Sequence, residues 1–204
     1  MAAVDVAVIG SGNIGRTLAR RWADAGHHVT LGARDPSSAK VQGARRELGA
    51  DALVTTPAEA ITGADAVLIA TPGDAVADLA TELGPALAGT IVIDATNDTA
   101  GPSLHHMDAW AERAPEAHVF RAFNTLGWEN FAEPDHDGEA ADLLYCGPEG
   151  DRDVVERLVV DVGLRPCWVG GAEQADLLDG ATRLWFALVM GRGRSRRTAF
   201  RVLD

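Results

Sequence analysis

With 204 residues, 47% of them hydrophobic, the chain has enough material for one large domain, or one medium and one small, around a sizeable core. Its formal net charge of −12 opposes association with phosphate backbones, so no nucleic-acid partner is expected. No apolar run approaches the ~18 residues of a membrane span and no basic stretch precedes the first apolar run, so neither a membrane nor a signal peptide is expected.

Cys146 and Cys167 lack metal-ligand or redox spacing and read as buried, inert thiols within strands, in keeping with a reducing cytoplasm. In chain order, Val4–Ile9 is apolar except for Asp5 and predicts a buried parallel strand. Gly10-x-Gly12-x-x-Gly15 follows at once, and Asn13–Ala25 continues as a helix on Ile14, Leu18 and Trp22, with Gly26 as its stop. This strand–turn–helix setting is what a dinucleotide fingerprint requires. Gly10 allows the tight turn, Gly12 leaves room for a pyrophosphate, and Gly15 lets the helix pack against the strand. Gly10, Ser11, Gly12, Asn13, Ile14 and Gly15 are therefore candidate cofactor contacts, with backbone N–H groups at a helix N-terminus facing the phosphates. The alternative is a purely structural glycine turn.

His28–Leu31 completes a βαβ unit, and the residues after it choose the cofactor. An NAD enzyme usually has Asp or Glu there for the ribose 2′-hydroxyl. This chain has Ala33 and then Arg34, with Ser37, Ser38 and Lys40 close behind. A guanidinium holds a 2′-phosphate through paired, charge-assisted hydrogen bonds. NADP is therefore favoured over NAD, with Arg34, Ser38 and Lys40 as its contacts. A solvated Arg34 stacked on adenine is the competing reading, and Asp35 would repel a phosphate if it faced inward.

Ala39–Leu48 predicts a helix, Ala52–Val54 a short strand and Pro57–Ile61 a short helix. Ala66–Ala70 is a central strand ending in Thr71-Pro72-Gly73 before a helix over Ala75–Leu83. Thr90–Ala95 is the next strand, ending in Thr96-Asn97-Asp98. In an open parallel sheet, ligands sit beyond the carboxyl ends of the strands. Ala70, Thr71, Pro72 and Asn97 are candidates for the nicotinamide half, against the plainer reading of ordinary turns. His105 and His106 begin a helix that includes Trp110. Adjacent histidines do not share a helix face and no third ligand is evident, so no metal is expected.

His118–Phe123 is the sixth strand and runs into Asn124-Thr125-Leu126-Gly127. This Ala-Phe-Asn-Thr-Leu-Gly segment resembles the F420-dependent NADP oxidoreductase family, also called NADPH-dependent F420 reductases or predicted dinucleotide-binding enzymes. Gly10–Asp35 is similar to that family too, including the small residue between the first two glycines and the Gly-x-Arg strand ending. The likeness covers most of the chain, although the Asn124 segment also recurs in the cytosolic domains of membrane metalloreductases. The resemblance implies a Rossmann domain, a smaller C-terminal lobe and a second redox substrate between them, with Asn124 at the cofactor.

Residues 133–141 read as an acidic surface loop, Asp142–Cys146 as a strand, Asp151–Val162 as an amphipathic helix and Leu164–Val169 as a strand. A long helix over Glu173–Met190 presents a broad apolar face through Leu177, Leu178, Ala181, Leu184, Trp185 and Leu188. That face reads as core or as a homodimer interface. Arg192, Arg194, Arg196, Arg197 and Arg201 follow as a solvated basic tail, or as contacts for an anionic substrate tail such as that of F420.

The expected fold is therefore α/β: a Rossmann-type doubly wound parallel sheet over residues 1–139 and a small α+β lobe over 140–204, serving substrate binding and dimerisation. The expected function is NADP(H)-dependent hydride transfer to or from a small-molecule redox partner in the cytoplasm, F420 being favoured. Direct transfer between stacked rings needs no side-chain acid. An imine, carbonyl, flavin or ferric reductase is the competing enzyme, for which Asp176 and Asp179 are the weak candidate proton donors and Tyr145 a poor one. A non-catalytic NADP sensor is the competing binding protein.

Overall fold

A computed structural model describes residues 2–49 and 52–203. The expected start of the third strand, Ala52, lies among them, one residue before that strand begins.

Strand β1 (Asp5–Ile9) leads through the glycine turn into α1 (Asn13–Asp24), then β2 (His28–Gly32), α2 (Ala39–Leu48), β3 (Leu53–Thr55), α3 (Pro57–Ala60) and β4 (Ala66–Ile69). Helix α4 (Val76–Leu83), β5 (Ile91–Asp94), α5 (Met107–Arg113) and β6 (His118–Arg121) complete a six-stranded sheet in the order β3-β2-β1-β4-β5-β6. All its pairs are parallel. The order reverses between β1 and β4, which opens a crevice at their carboxyl ends.

Each strand's alternation feeds two cores. Val6, Val8, Leu68 and Ile93 face α1 and the C-terminal helices. Ala7, Ile9, Val67, Ile69 and Val92 face α3, α4 and Trp110 of α5. A strand buried on both faces must be apolar, and β4 is so throughout and β1 is from Val6 on, its exposed first residue being Asp5.

Beyond β6 come α6 (Glu129–Ala132), β7 (Asp135–His136), β8 (Glu139–Ala140), β9 (Asp142–Tyr145), α7 (Arg152–Val162), β10 (Arg165–Trp168) and α8 (Ala175–Val189). The parallel pair β9–β10 meets the large sheet through one antiparallel bridge, Arg121 to Cys146. The predicted division at 139/140 falls inside β8. One apolar cluster includes Val4 and Val189, and Trp22 of α1 donates its indole N–H to the Leu158 carbonyl of α7.

Several predicted boundaries shift, each for a physical reason. The sixth strand ends at Arg121 rather than Phe123, because Phe123 adopts a left-handed φ of 62°. That conformation is costly for a bulky residue. It is held by edge-on aromatic contacts with Trp22 at 5.8 Å and Phe131 at 5.5 Å. The acidic stretch 133–141 contains a hairpin, β7–β8, turned by Asp137 and Gly138, both at positive φ. Asp-Gly is the sequence signal for such a two-residue turn. The last helix begins at Ala175 because residues 172–174 form a tight 3₁₀ turn. Cys146 lies one residue past β9, and Cys167 is only half-buried.

Candidate functional site

The glycine turn is shaped by what surrounds it. Gly10 sits at φ 116°, and a Cβ there would overlap the carbonyl oxygen of Ala70 at the end of β4. A Cβ on Gly15 would overlap the Gly10 carbonyl oxygen. A Cβ on Gly12 would meet nothing within 4 Å, so the space in front of the turn is open. Gly12 is the N-cap of α1, with no side-chain cap and no acidic residue in the first turn. Arg16 N–H donates to the Gly12 carbonyl at 2.9 Å, and the N–H groups before it have no helical acceptor. Exposed Asn13 and half-buried Ser11 and Ile14 border this end. The result is an unobstructed, positively polarised helix end that fits a diphosphate.

At the end of β2, Arg34 is exposed and forms no ion pair among the described residues. Asp35 is turned onto its own loop: its carboxylate accepts from Ser37 Oγ at 2.6 Å and Ser37 N–H at 3.0 Å. Those two donors hold its pKa below the ordinary carboxylate value. Ser38 Oγ donates to the Asp35 carbonyl at 2.9 Å, and exposed Lys40 lies in the first turn of α2. The loop thus offers Arg34 and Lys40 as available cations, while the Ser38 hydroxyl is spent on the turn.

The remaining predicted contacts gather at strand ends. Ala70 N–H bonds to Ile9 O at 2.9 Å, which brings Thr71 and Pro72 up beside the fingerprint. Thr71 Oγ1, Asn124 Oδ1 and Thr125 Oγ1 are buried without a hydrogen-bond partner. Buried polar atoms are nearly always satisfied, so these orphans at strand carboxyl ends are candidate positions for a ligand's polar groups. The Asn124 amide donates to Thr182 Oγ1 at 3.2 Å. Asn97 is different, because both ends of its amide are engaged: it donates to the Asn124 carbonyl at 3.0 Å and accepts from Arg121 Nη2 at 2.9 Å. Its side chain fixes Asn124 rather than facing a ligand.

The centre of this region is Arg121, a fully buried guanidinium that the sequence reading passed over. Its Nε and Nη2 bond to Asp179 Oδ1 at 3.1 and 2.7 Å, and its Nη1 bonds to the Thr96 carbonyl at 2.8 Å. Asp179 Oδ2 also accepts from Leu104 N–H at 2.8 Å, and from His105 N–H and Ser103 Oγ at 3.2 Å. Asp179 is therefore a locked carboxylate that ties α8 to the ends of β5 and β6. Both of its oxygens are taken up by five donors, two of them from Arg121, so the side chain serves the structure rather than facing a substrate as a proton donor. Asp176 is solvent-exposed and reaches His105 Nε2 at 3.2 Å. Ligand atoms of His105, Asp176 and Asp179 lie within 4.8 Å of one another. The guanidinium against Asp179 opposes a cation there. The signal that marks Arg121 in sequence is a charge set between apolar Val119-Phe120 and Ala122-Phe123.

Two further groups have clear positions. The Tyr145 hydroxyl donates to Glu156, and burial raises its pKa above the ordinary tyrosine value. In the C-terminal segment, Arg196 pairs with Glu129, Arg197 with Glu133 and Arg201 with Glu139. These arginines fasten the segment to acidic residues, while Arg192 and Arg194 stay exposed without an ion pair among the described residues. A concavity of about 570 Å³ lies away from the fingerprint, between α5, Val119 of β6 and the 172–174 turn. Among the described residues no helix is long and apolar enough to cross a membrane.

Comparison with known proteins bears on the fold. The chain is 30% identical over 176 residues to the metalloreductase STEAP3 of Rattus norvegicus; the match covers 83% of this chain and 34% of that protein. The chain thus spans about a third of the length of that curated relative. Its fold matches the crystal structure of a candidate F420-dependent NADP reductase from Arthrobacter sp. FB24, with a TM-score of 0.83, 24% identity, and coverage of 99% of this chain and 100% of that one. It also matches an imine reductase from Aspergillus terreus, solved with NADPH4 and dibenz[c,e]azepine, with a TM-score of 0.68, 21% identity, and coverage of 96% and 69%. Residues 5–98, which hold the fingerprint, Arg34, Thr71 and Asn97, match the family described as NADP oxidoreductase, coenzyme F420-dependent, and over that segment the chain is similar to this family of oxidoreductases.

Proposed function

We propose that the chain is an NADP(H)-dependent oxidoreductase that passes hydride between the nicotinamide and a second redox cofactor, deazaflavin F420, and that it works as a cytoplasmic homodimer. The observation that carries the reading is the open, acid-free end of α1 at Gly12, with Arg34 exposed at the end of β2 and Asp35 turned away onto Ser37. In this reading the backbone of Gly10, Ser11, Gly12, Asn13, Ile14 and Gly15 holds the diphosphate. Arg34 and Lys40, with the backbone at Ser38, hold the 2′-phosphate. Ala70, Thr71, Pro72 and Asn124 line the nicotinamide end, where the orphaned oxygens of Thr71 and Asn124 find partners. Asn97 and Arg121 keep Asn124 in place.

The bound nicotinamide supplies or accepts the hydride, and the chain's task is orientation. The acids near the strand ends suit transfer without a proton donor. Asp179 is tied to Arg121, and the Tyr145 hydroxyl is tied to Glu156. Reduction of an imine or carbonyl would need an acid, and exposed Asp176 beside His105 is the group available for it.

The test is anaerobic mixing of the protein with NADPH and F420, following loss of the F420 absorbance, with parallel arms of flavin, ferric chelate and cyclic imine. NADPH oxidation coupled to F420 is the expected result. Turnover confined to another arm would replace F420 with that acceptor. Tight NADPH binding with no turnover in any arm would make the protein a sensor.

A further inference from the structure

The two ends of the Asn124 side-chain amide are in opposite situations. The residue is 2% exposed; its Nδ2 donates to Thr182 Oγ1 at 3.2 Å, and its Oδ1 has no partner. Phe123, with its left-handed φ, ends the run of β6 and leaves Asn124 against α8.

Counting protons fixes the sense of each bond around it. A guanidinium can only donate, so Arg121 Nη2 faces the oxygen of the Asn97 amide at 2.9 Å. Asn97 must then turn its NH2 to the Asn124 main-chain carbonyl, at 3.0 Å. Thr182 has one hydroxyl proton, and the Leu178 carbonyl takes it at 3.0 Å. The other acceptor within reach, the Asn124 main-chain carbonyl at 3.4 Å, would spend the proton on a carbonyl too. Toward the Asn124 amide the hydroxyl therefore shows lone pairs. It takes an N–H, and Oδ1 turns the other way. Flipping the amide would divert that proton and strand buried N–H donors in place of one acceptor. Asp179 and the Thr96 carbonyl hold Arg121 in turn. Oδ1 is thus an acceptor fixed in direction, lacking a donor, just beyond β6. The nicotinamide ring brings a single N–H donor group, the NH2 of its carboxamide.

We infer that Asn124 Oδ1 accepts from the carboxamide NH2 of the bound nicotinamide, and that Thr182, Asn97 and Arg121 are positioning residues that hold the amide in this sense. This rests on the NADP(H) reading above and assigns the group that recognises the ring's substituent. A dinucleotide with an acetyl group in place of the carboxamide presents no donor, and one with a carboxylate presents only acceptors. Both leave Oδ1 unpaired. The other orphan beside the fingerprint, Thr71 Oγ1, has a proton and lone pairs and makes no such choice.

The experiment measures equilibrium dissociation constants of the full chain by quenching of tryptophan fluorescence. The ligands are NADP⁺, its 3-acetylpyridine analogue, its nicotinic acid analogue and 2′-phospho-ADP-ribose, which lacks the ring. Wild type is expected to bind NADP⁺ roughly tenfold more tightly than the 3-acetylpyridine analogue, about 1.4 kcal/mol, and the nicotinic acid analogue more weakly still. Asn124→Ala should bring the first ratio close to one. Thr182→Val removes the hydroxyl that orients the amide and should lower the ratio in the same way, whereas Thr182→Ser should keep it. A merely structural role would weaken all four ligands alike and leave the ratio unmoved. Equal wild-type affinity for NADP⁺ and the 3-acetylpyridine analogue, or a ratio that survives in Asn124→Ala, overturns the assignment of Oδ1 and leaves the NADP(H) reading standing. A ratio lost in Asn124→Ala but kept in Thr182→Val overturns the positioning by Thr182. A wild type that binds neither NADP⁺ nor 2′-phospho-ADP-ribose overturns the NADP(H) reading and this inference with it.

Discussion

A side chain at Gly15 would collide with the Gly10 carbonyl, whereas one at Gly12 would enter empty space. The two glycines of one motif therefore differ in kind. Gly15→Val is expected to destabilise the fold by about 1–3 kcal/mol or more, as overpacking against backbone does. Gly12→Val should keep its thermal midpoint and lose nucleotide affinity, because the space it fills is the one a diphosphate needs. Thermal melts paired with NADPH titrations separate these outcomes, and a Gly12→Val protein that binds normally would contradict the assignment. Arg34 is the other residue on which cofactor choice turns. Charge-assisted hydrogen bonds contribute about 1.5–3 kcal/mol, so Arg34→Ala is expected to weaken NADPH roughly 10- to 100-fold and NADH little. Equal weakening of both would show that Arg34 stacks on adenine instead of reading the 2′-phosphate.

Among the elements, β6 and α8 are joined by a charge pair that neither reveals alone. Arg121 and Asp179 are 58 residues apart and both buried. Removing one partner of such a pair strands the other, at a cost of about 3–5 kcal/mol. Arg121→Met and Asp179→Leu are each expected to destabilise on that scale. The double variant should lose clearly less than the sum, and an additive double-mutant cycle would deny the coupling. This pair also shows where sequence stops informing. The apolar β1 and β4, the amphipathic α1 and α7, and the glycine turn are local patterns, so their place in a doubly wound sheet is legible from periodicity alone. Phe123 leaving the sheet depends on Trp22 and Phe131, and Asp179 being locked depends on β6, so both are products of tertiary contact. The availability of Arg34 depended on where Asp35 pointed, and that was set by a hydrogen bond to Ser37. The Asp137-Gly138 hairpin was legible and passed over.

For the molecule as a whole, the seam where β9 meets β6 sets a limit on alkaline stability. Cys146 is fully buried in that seam, and burial pushes its thiol from 9.0 up to about 11. Tyr145 beside it is raised for the same first reason, burial, with Glu156 adding to it. In both groups the folded state retains its proton above the pH at which the unfolded chain releases it. The Cys146 contribution to stability is therefore fully present below pH 9 and is lost as pH climbs from 9 through about 11, while that of Tyr145 is lost only from pH 10 upward. The Cys146 share is at most about 3 kcal/mol, and one kcal/mol moves the midpoint of a chain this size by about 2–4 °C. Self-repulsion from the net charge of −12 would lower the midpoint in the same direction, so the discriminating comparison is Cys146→Ser, whose hydroxyl does not titrate there. Thermal midpoints measured from pH 7 to 11 are expected to fall by several degrees more in wild type than in Cys146→Ser, each referred to its own value at pH 7. Parallel curves would mean that the thiol is already accessible to water and that the bridge between Arg121 and Cys146 opens more readily than its two backbone hydrogen bonds indicate.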